Sequence, residues 1–221
     1  MFKHFKINLK LIIIALLLLP VMSCADARSH SKGVYMLLDT SGTYTKELVK
    51  AEGIIRYLLG TLQPGDSLGV GRIDTGSFSE KDIVAKATFN AQKTVANKQK
   101  VAFADAISEF VKTAKSSGYT DITGGMLQGI EWLDETGSGN KYILIFSDMQ
   151  EEIKKGYKRE GIDLSLQGYK VIALNVTKLR TDNVDPRIYM DRMEKWRMRV
   201  EEGGGEFKVI NDLEKLDGIL N

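Results

Sequence analysis

Short apolar runs alternate with helical patterns along most of this chain of 221 residues. The apolar runs are rich in branched and aromatic side chains and are typical of buried strands. They lie at 34–38, 67–73, 82–89, 142–146, 169–176 and 206–210. Between them, apolar residues recur at a spacing of three or four residues, which indicates amphipathic helices. These helical patterns occupy 46–62, 98–115, 126–133, 186–202 and 213–220, and the charged stretch 147–168 is also predicted to be helical.

The order of these elements predicts an α/β fold. Strands that are apolar on both faces need cover on both faces, and the helices between successive strands supply it. We therefore expect a doubly wound, mainly parallel central sheet flanked by helices, with 82–89 as one antiparallel edge strand. Because 43% of the residues are hydrophobic, the chain can bury one substantial core, and residues 33–221 are predicted to form one domain.

The first 23 residues differ in composition from the rest. Lys3, Lys6 and Lys10 precede an apolar run of twelve residues, 11–22. That run is too short for a membrane-spanning helix, which needs about 20 apolar residues. Residues 1–23 are therefore predicted to be a secretory signal peptide.

Cys24 follows this segment and is the only cysteine in the chain. Its context, VMSCAD, resembles the lipobox of bacterial lipoproteins, which implies a lipid anchor at Cys24 and a short polar tether at 24–32. The alternative is an ordinary signal peptide followed by a chance cysteine. With the anchor, the protein is expected in a bacterial cell envelope, held to a membrane at its periplasmic or outer face.

The charge balance argues against nucleic acid as a partner. Removal of residues 1–23 takes three lysines and no acid, which leaves 28 basic against 29 acidic side chains. A domain without a basic excess has little attraction for a phosphate backbone.

Catalytic side chains are scarce in the predicted domain. His4 and His30 precede it, as does the lone cysteine, and it contains neither a P-loop nor a G-x-S-x-G elbow. General acid–base and nucleophilic catalysis would lack their usual groups. We therefore expect a protein that is not an enzyme.

Residues 39–43, Asp-Thr-Ser-Gly-Thr, follow the first strand and allow two interpretations. With a second Asp-Thr-Gly at 74–76, they could be the paired aspartates of an aspartic protease. That class needs two β-rich lobes, whereas this chain is rich in helical patterns and its two aspartates are 35 residues apart. The other interpretation is a divalent-metal site, because Asp39, Ser41 and Thr43 place oxygen donors at alternating positions.

The alternating donors resemble the DxSxS motif of von Willebrand factor type A domains, with Thr43 in place of the last serine. Two further stretches match that family in chain order, GYTDITGGML at 118–127 and ILIFSDMQEE at 143–152. The resemblance implies that Thr120 and Asp148 complete a site for Mg²⁺ or Mn²⁺. Thr123 is a rival for the role of Thr120.

The resemblance also implies a function, a membrane-anchored module that binds a protein partner through the metal. In the family, the metal leaves one coordination position for an acidic side chain of the partner. Two alternatives stay open. The hydroxyls could cap helices and Asp148 could close a turn, or Asp39 could be the nucleophile of a haloacid-dehalogenase-type phosphatase, although Ser41 stands where that family has a second acid.

Two expectations concern the surroundings of the site. Glu151 and Glu152 are predicted to favour a helix N-terminus. On the helix at 186–202, one set of residues is predicted to be a core stripe and another its solvated face. The stripe is Met190, Met193, Trp196 and Val200, and the solvated set is Arg187, Arg192, Arg197 and Arg199.

Overall fold

The computed structural model of this protein describes residues 30–42, 44–177, 179–211, 216 and 218, with only the backbone at 180. The predicted signal peptide, Cys24 and most of the tether lie outside the described residues. So do Thr43 and all but two residues of the predicted last helix.

Six strands and five helices make up the regular structure of the described residues. The strands are β1 (Lys32–Asp39), β2 (Ser67–Ile73), β3 (Ile83–Thr88), β4 (Asn140–Phe146), β5 (Tyr169–Leu174) and β6 (Glu206–Ile210). The helices are α1 (Leu48–Thr61), α2 (Lys93–Thr113), α3 (Ile122–Thr136), α4 (Arg180–Val184) and α5 (Pro186–Glu202). Single 3₁₀ turns at Tyr44–Glu47 and Glu80–Asp82 precede α1 and β3.

The strands form one sheet in the order β3-β2-β1-β4-β5-β6. Every neighbouring pair is parallel except β2 with the edge strand β3. This confirms the doubly wound, mainly parallel sheet with one antiparallel edge. The chain passes from β1 to β2 on one side and later to β4 on the other, so the winding reverses between β1 and β4. The carboxyl ends of those two strands border the crevice in which sheets of this kind bind ligands.

Successive side chains of the central strand β1 point to opposite faces of the sheet, and each face has its own layer of core. Val34, Met36 and Leu38 face one layer, which also contains apolar residues of α1 and α2. Tyr35 and Leu37 face the other layer, which contains apolar residues of α3 and α5. Since all five are fully buried, β1 has no solvent-facing side, which is why its sequence is a continuous apolar run.

The charged stretch 147–168 is not helical, so that prediction is wrong. Gly156, Gly161 and Gly168 adopt φ values of 102°, 71° and 76°, which no α-helix permits. Leu164 and Leu166 are buried two residues apart, a spacing of extended chain. The segment is an irregular connection between β4 and β5.

Two predictions for α5 are also wrong. Met190, assigned to the core stripe, is 65% exposed, and Arg192, assigned to the solvated face, is buried. Arg192 lies inside because its guanidinium is paired with the buried Asp182 at 2.7 Å. Met193, Trp196 and Val200 are buried as predicted.

Candidate metal-binding site

Asp39 is the last residue of β1 and is fully buried. Its Oδ1 accepts a hydrogen bond from the backbone N–H of Ser41 at 2.8 Å, and its Oδ2 accepts one from the Ser147 hydroxyl at 2.6 Å. Ser147 directly follows β4, the strand beside β1. The carboxylate therefore sits where the winding of the sheet reverses and joins its two central strands.

The loop after Asp39 is tied to its neighbours through Thr40. The Thr40 hydroxyl donates to the carbonyl of Ile73 at 2.8 Å, at the end of β2. The Thr40 carbonyl accepts from the N–H of Ser117 at 2.8 Å, and Ser41 forms an isolated parallel bridge with Ser117. This places Ser41 against the loop between α2 and α3. Thr43, the third predicted ligand of this loop, lies outside the described residues.

Thr120 is buried in the loop before α3. Its N–H donates to the carbonyl of Glu152, and its carbonyl accepts from the N–H of Glu152, both at 2.9 Å. It does not cap α3, because the N-cap is Asp121, whose carboxylate accepts from the N–H of Gly124 at 2.8 Å. The capping alternative thus loses support at Thr120.

Thr123, the rival ligand, lies in the first turn of α3 with its hydroxyl engaged elsewhere. Nη1 of Arg199 donates to that hydroxyl at 2.6 Å. The N–H of Thr123 donates to the Glu151 carboxylate at 2.7 Å. These contacts favour Thr120 over Thr123. Glu151 thus favours a helix N-terminus, that of α3, through its bond with Thr123, whereas Glu152 starts no helix and instead pairs with the backbone of Thr120.

Asp148 follows β4 by two residues and is half-buried. Its Oδ1 accepts from the N–H of Gln150 at 2.8 Å, so the turn predicted as the alternative role is present. Burial raises the pKa of the Asp148 carboxyl. The hydrogen bond from Gln150 lowers this pKa, and the negative charge of Asp39 raises it again. The two predicted carboxylate ligands therefore repel one another across the same edge of the sheet.

The donor set consists of two carboxylates and hydroxyls. Among the described residues, no three side chains of the His, Cys, Asp and Glu types come together as a metal site. A site here depends on Ser41 and Thr120, with Thr43, besides Asp39 and Asp148. Hard cations such as Mg²⁺ accept such oxygen ligands, and a dication would offset the repulsion between the carboxylates. The residues present fit that ion.

Helix α5 holds the loop that carries Asp148, which the sequence analysis did not foresee. Nε of Arg192 donates to the carbonyl of Asp148 at 3.1 Å, and Nε1 of Trp196 donates to the carbonyl of Met149 at 2.9 Å. Met149 needs this support because its φ is 63°, a region that favours glycine. The four-residue spacing of Arg192 and Trp196 was the available signal, since it puts both on one helix face.

Tyr44 is a second residue that the sequence analysis missed. It is buried, and its hydroxyl donates to the carbonyl of Asn175, just beyond β5, at 2.6 Å. The pKa of Tyr44 is raised to about 12, mainly by burial; hydrogen bonds with Thr177 lower it, and the charges of Asp148 and Asp39 raise it. The phenol remains protonated and joins the loop after β1 to the end of β5.

The second Asp-Thr-Gly has a structural role. Asp74 Oδ1 accepts from the hydroxyl of Ser117 at 2.6 Å and from the N–H of Thr75 at 2.5 Å. Burial would raise the pKa of Asp74, but these bonds and nearby Arg72 outweigh it and lower that pKa. Its carboxylate is thus engaged by donors rather than sharing a proton, and the described residues form a single α/β sheet structure instead of a β-rich double lobe. Both findings oppose the protease interpretation.

No helix within the described part of the chain is long and apolar enough to span a membrane.

Comparison with known proteins gives similarity in structure alone. No family model matches the sequence, and no curated protein matches it. A von Willebrand factor type A protein from Catenulispora acidiphila aligns with a TM-score of 0.55 and 15% identity, over 86% of this chain and 41% of that chain. The pilus adhesin SpaC from Lactobacillus rhamnosus GG aligns with a TM-score of 0.51 and 12% identity, over 87% of this chain and 29% of that one.

A third similar structure is a D319A mutant of the PilB minor pilin from Streptococcus sanguinis. Its TM-score is 0.50 at 13% identity, over 91% of this chain and 61% of that chain. This chain thus spans less than two thirds of each of the three structures. The likeness establishes a von Willebrand factor A-like α/β fold.

Proposed function

We propose that this protein is a divalent-metal-dependent protein-binding module. The ion, Mg²⁺ or Mn²⁺, is held by Asp39, Ser41, Thr43, Thr120 and Asp148. One observation carries the proposal. Three loops that hold these residues are joined by direct hydrogen bonds at the carboxyl ends of β1 and β4, with Asp39 bonded to Ser147 and Thr120 bonded to Glu152.

The bound ion supplies positive charge and a coordination position for an oxygen from outside the chain. Two carboxylates balance the charge of a dication, while the hydroxyls add donors without charge. A carboxylate of a partner's Asp or Glu can then take the remaining position in place of water. The fold is compatible with this role, since it also occurs within a pilus adhesin and a minor pilin.

The proposal includes a lipid anchor at Cys24, supported by the lipobox resemblance. Cells expressing the wild type and Cys24→Ser should be labelled with a fatty acid and fractionated. We expect label in the wild type and in the membrane fraction only. Unlabelled wild-type protein would refute the anchor and leave the metal site untouched.

The binding function is tested by affinity capture from detergent-solubilised membranes in Mg²⁺ and in EDTA. A partner recovered in Mg²⁺ should be lost in EDTA and with Thr120→Ala, which removes an oxygen ligand without changing charge. Thr123→Ala is the matched control, because that hydroxyl bonds Arg199. Capture that is equal under all conditions would contradict the proposal.

The phosphatase alternative has its own measurement. A phosphatase would release phosphate from p-nitrophenyl phosphate in Mg²⁺ and would lose that activity with Asp39→Asn. We expect no release from the wild type, and no inhibitor-sensitive proteolysis at acid pH. Asp39-dependent phosphate release would replace the binding function with the enzymatic one.

A further inference from the structure

A basic segment lies close to the predicted metal ligands. Residues 154–159, KKGYKR, contain three lysines and an arginine but no acid, and we call them the basic segment. Lys154, Lys155 and Lys158 are all exposed. Within the part of the chain that the structure describes, their ammonium groups form no ion pair or hydrogen bond. Three positive charges are therefore available to a partner.

Contacts on both sides fix the position of the basic segment. Glu152, two residues before it, is the residue bridged to Thr120. The ring of Tyr157 packs so closely on Gly76 that a Cβ there would overlap it. Arg159 pairs with Asp121, the residue after Thr120, at 2.8 Å. The segment is thus held beside a predicted metal ligand at both of its ends.

A recess opens next to the basic segment. It has a volume of about 730 Å³, and its charged lining comprises four basic and two acidic side chains. The basic ones are Lys158, Arg159, Lys195 and Arg199, and the acidic ones are Glu151 and Glu160. The carboxylate of Glu151 already accepts a hydrogen bond from the backbone of Thr123. Because Arg159 pairs with Asp121 and Arg199 with Glu151, Lys158 and Lys195 are the basic side chains of the recess that could pair with an anionic group.

Exposed aromatic side chains accompany these charges. Tyr157 is 45% exposed and Phe78, on the loop that follows β2, is 51% exposed. The backbone of Phe78 has a φ of 91°, a region that favours glycine, so an aromatic residue at this position costs some backbone strain. Exposed aromatic side chains are enriched at protein interfaces.

We propose that the basic segment binds an acidic peptide stretch of the same partner whose carboxylate reaches the metal. One Asp or Glu takes the metal position, and further acidic residues pair with Lys154, Lys155 and Lys158. The first of these contacts rests on the proposed function, whereas the lysine contacts do not need the metal. Because such pairs are exposed, each strengthens binding by a few-fold at most, and three together by about tenfold.

The test uses two synthetic peptides and the full-length protein in detergent. One peptide carries a single Asp among Gly and Ser residues, and the other has four Glu residues added after that Asp. In Mg²⁺ at low salt, fluorescence anisotropy should show the added Glu residues strengthening binding about tenfold. This gain should shrink as salt is added.

Two triple variants distinguish the effect of the lysines in the basic segment from the effect of the protein's overall positive charge. K154Q/K155Q/K158Q should remove the gain from the added Glu residues. K93Q/K98Q/K112Q changes three exposed lysines of α2 and should retain it. An equal gain in both variants, or no gain in the wild type, would overturn the inference.

The metal site and the basic segment can fail separately. Binding of the single-Asp peptide in Mg²⁺ and in EDTA tests the proposed function, while the lysine-dependent gain tests the inference. Vesicles of phosphatidylglycerol and phosphatidylcholine address the other anionic surface in a cell envelope. Lysine-dependent binding to vesicles, without a gain from the added Glu residues, would replace the acidic peptide with lipid headgroups and overturn the proposal.

Discussion

The Ser147 hydroxyl donates a 2.6 Å hydrogen bond to the carboxylate of Asp39 across 108 residues of sequence, and both side chains are fully buried. Ser147→Ala would leave a buried carboxylate oxygen without this donor. We expect a loss of about 1–3 kcal/mol in the free energy of unfolding, measured by urea denaturation. Ser116→Ala, at an exposed position, is the control and should change little. Equal stability of wild type and Ser147→Ala would show that the bond contributes nothing.

Metal binding should raise stability. A ligand that binds only the native state at a hundred times its Kd adds about 2.7 kcal/mol. Melting curves of the wild type should therefore move upward as Mg²⁺ is added. Asp148→Asn should abolish this response and raise the metal-free stability at neutral pH, because burial and Asp39 both disfavour the ionised Asp148. Asp105→Asn, exposed on α2, should leave both unchanged. A shift that persists in Asp148→Asn would place the metal elsewhere.

Two arginines of α5 should differ sharply in importance. The side chain of Arg192 is 7% exposed and pairs with Asp182, whereas that of Arg187 is 83% exposed and pairs with Asp185. Arg192→Ala removes the guanidinium that pairs with a buried carboxylate and should cost about 3–5 kcal/mol. Arg187→Ala should have no measurable effect on chemical denaturation. Similar losses in the two variants would contradict this account.

Asp82 should make stability depend on pH. Its side chain is buried, and Oδ2 has no hydrogen-bond partner among the described residues. Burial raises its pKa, although Arg72 and Lys81 lower it. The folded state then binds the proton more tightly than the unfolded state does. The resulting stabilisation is full below the ordinary Asp pKa and is lost as pH rises through the raised value.

The measurement compares Asp82→Asn with the wild type across that pH range. Asn cannot ionise and keeps an oxygen to accept the bond from Arg72. The stability of Asp82→Asn relative to the wild type should therefore increase as the pH is raised from about 4 to about 7. Asp105→Asn again serves as the exposed control. A difference that stays constant with pH would show that Asp82 does not titrate anomalously.

The strands could be predicted because a strand that is buried on both faces has an uninterrupted run of apolar residues in the sequence. The runs 67–73 and 206–210 coincide with β2 and β6, and the other four differ from their strands by one or two residues at one or both ends. Helix starts were harder to predict. The pattern at 98–115 missed the first residues of α2, since that helix begins at Lys93 with a mostly exposed, polar stretch. Exposed residues leave no apolar stripe to detect.

The irregular connection between β4 and β5 and the supports of the site depend on contacts far apart in sequence. Ser147 can donate its hydrogen bond because Asp39 lies beside it. Arg192 is buried because Asp182 and the carbonyl of Asp148 accept its hydrogen bonds. The partners of both side chains lie far away in the sequence, and the only local signal is the spacing of Arg192 and Trp196 on one helix face. Asp39, Thr120 and Asp148 were predicted as ligands because their surroundings resemble known motifs, and Asp39 and Asp148 also lie where predicted strands end. Their shared edge could be predicted because parallel strands end together.

The direction of β1 determines which end of the domain lies farther from the tether. Its first residue, Lys32, continues from the tether, and its last, Asp39, reaches the candidate site. Eight extended residues cover roughly 23 Å, the depth of the sheet. Under the proposed lipid anchor at Cys24, Asp39 and the basic segment would lie at the end of the domain opposite the tether, away from the membrane. A partner would approach from the side opposite the protein's own membrane.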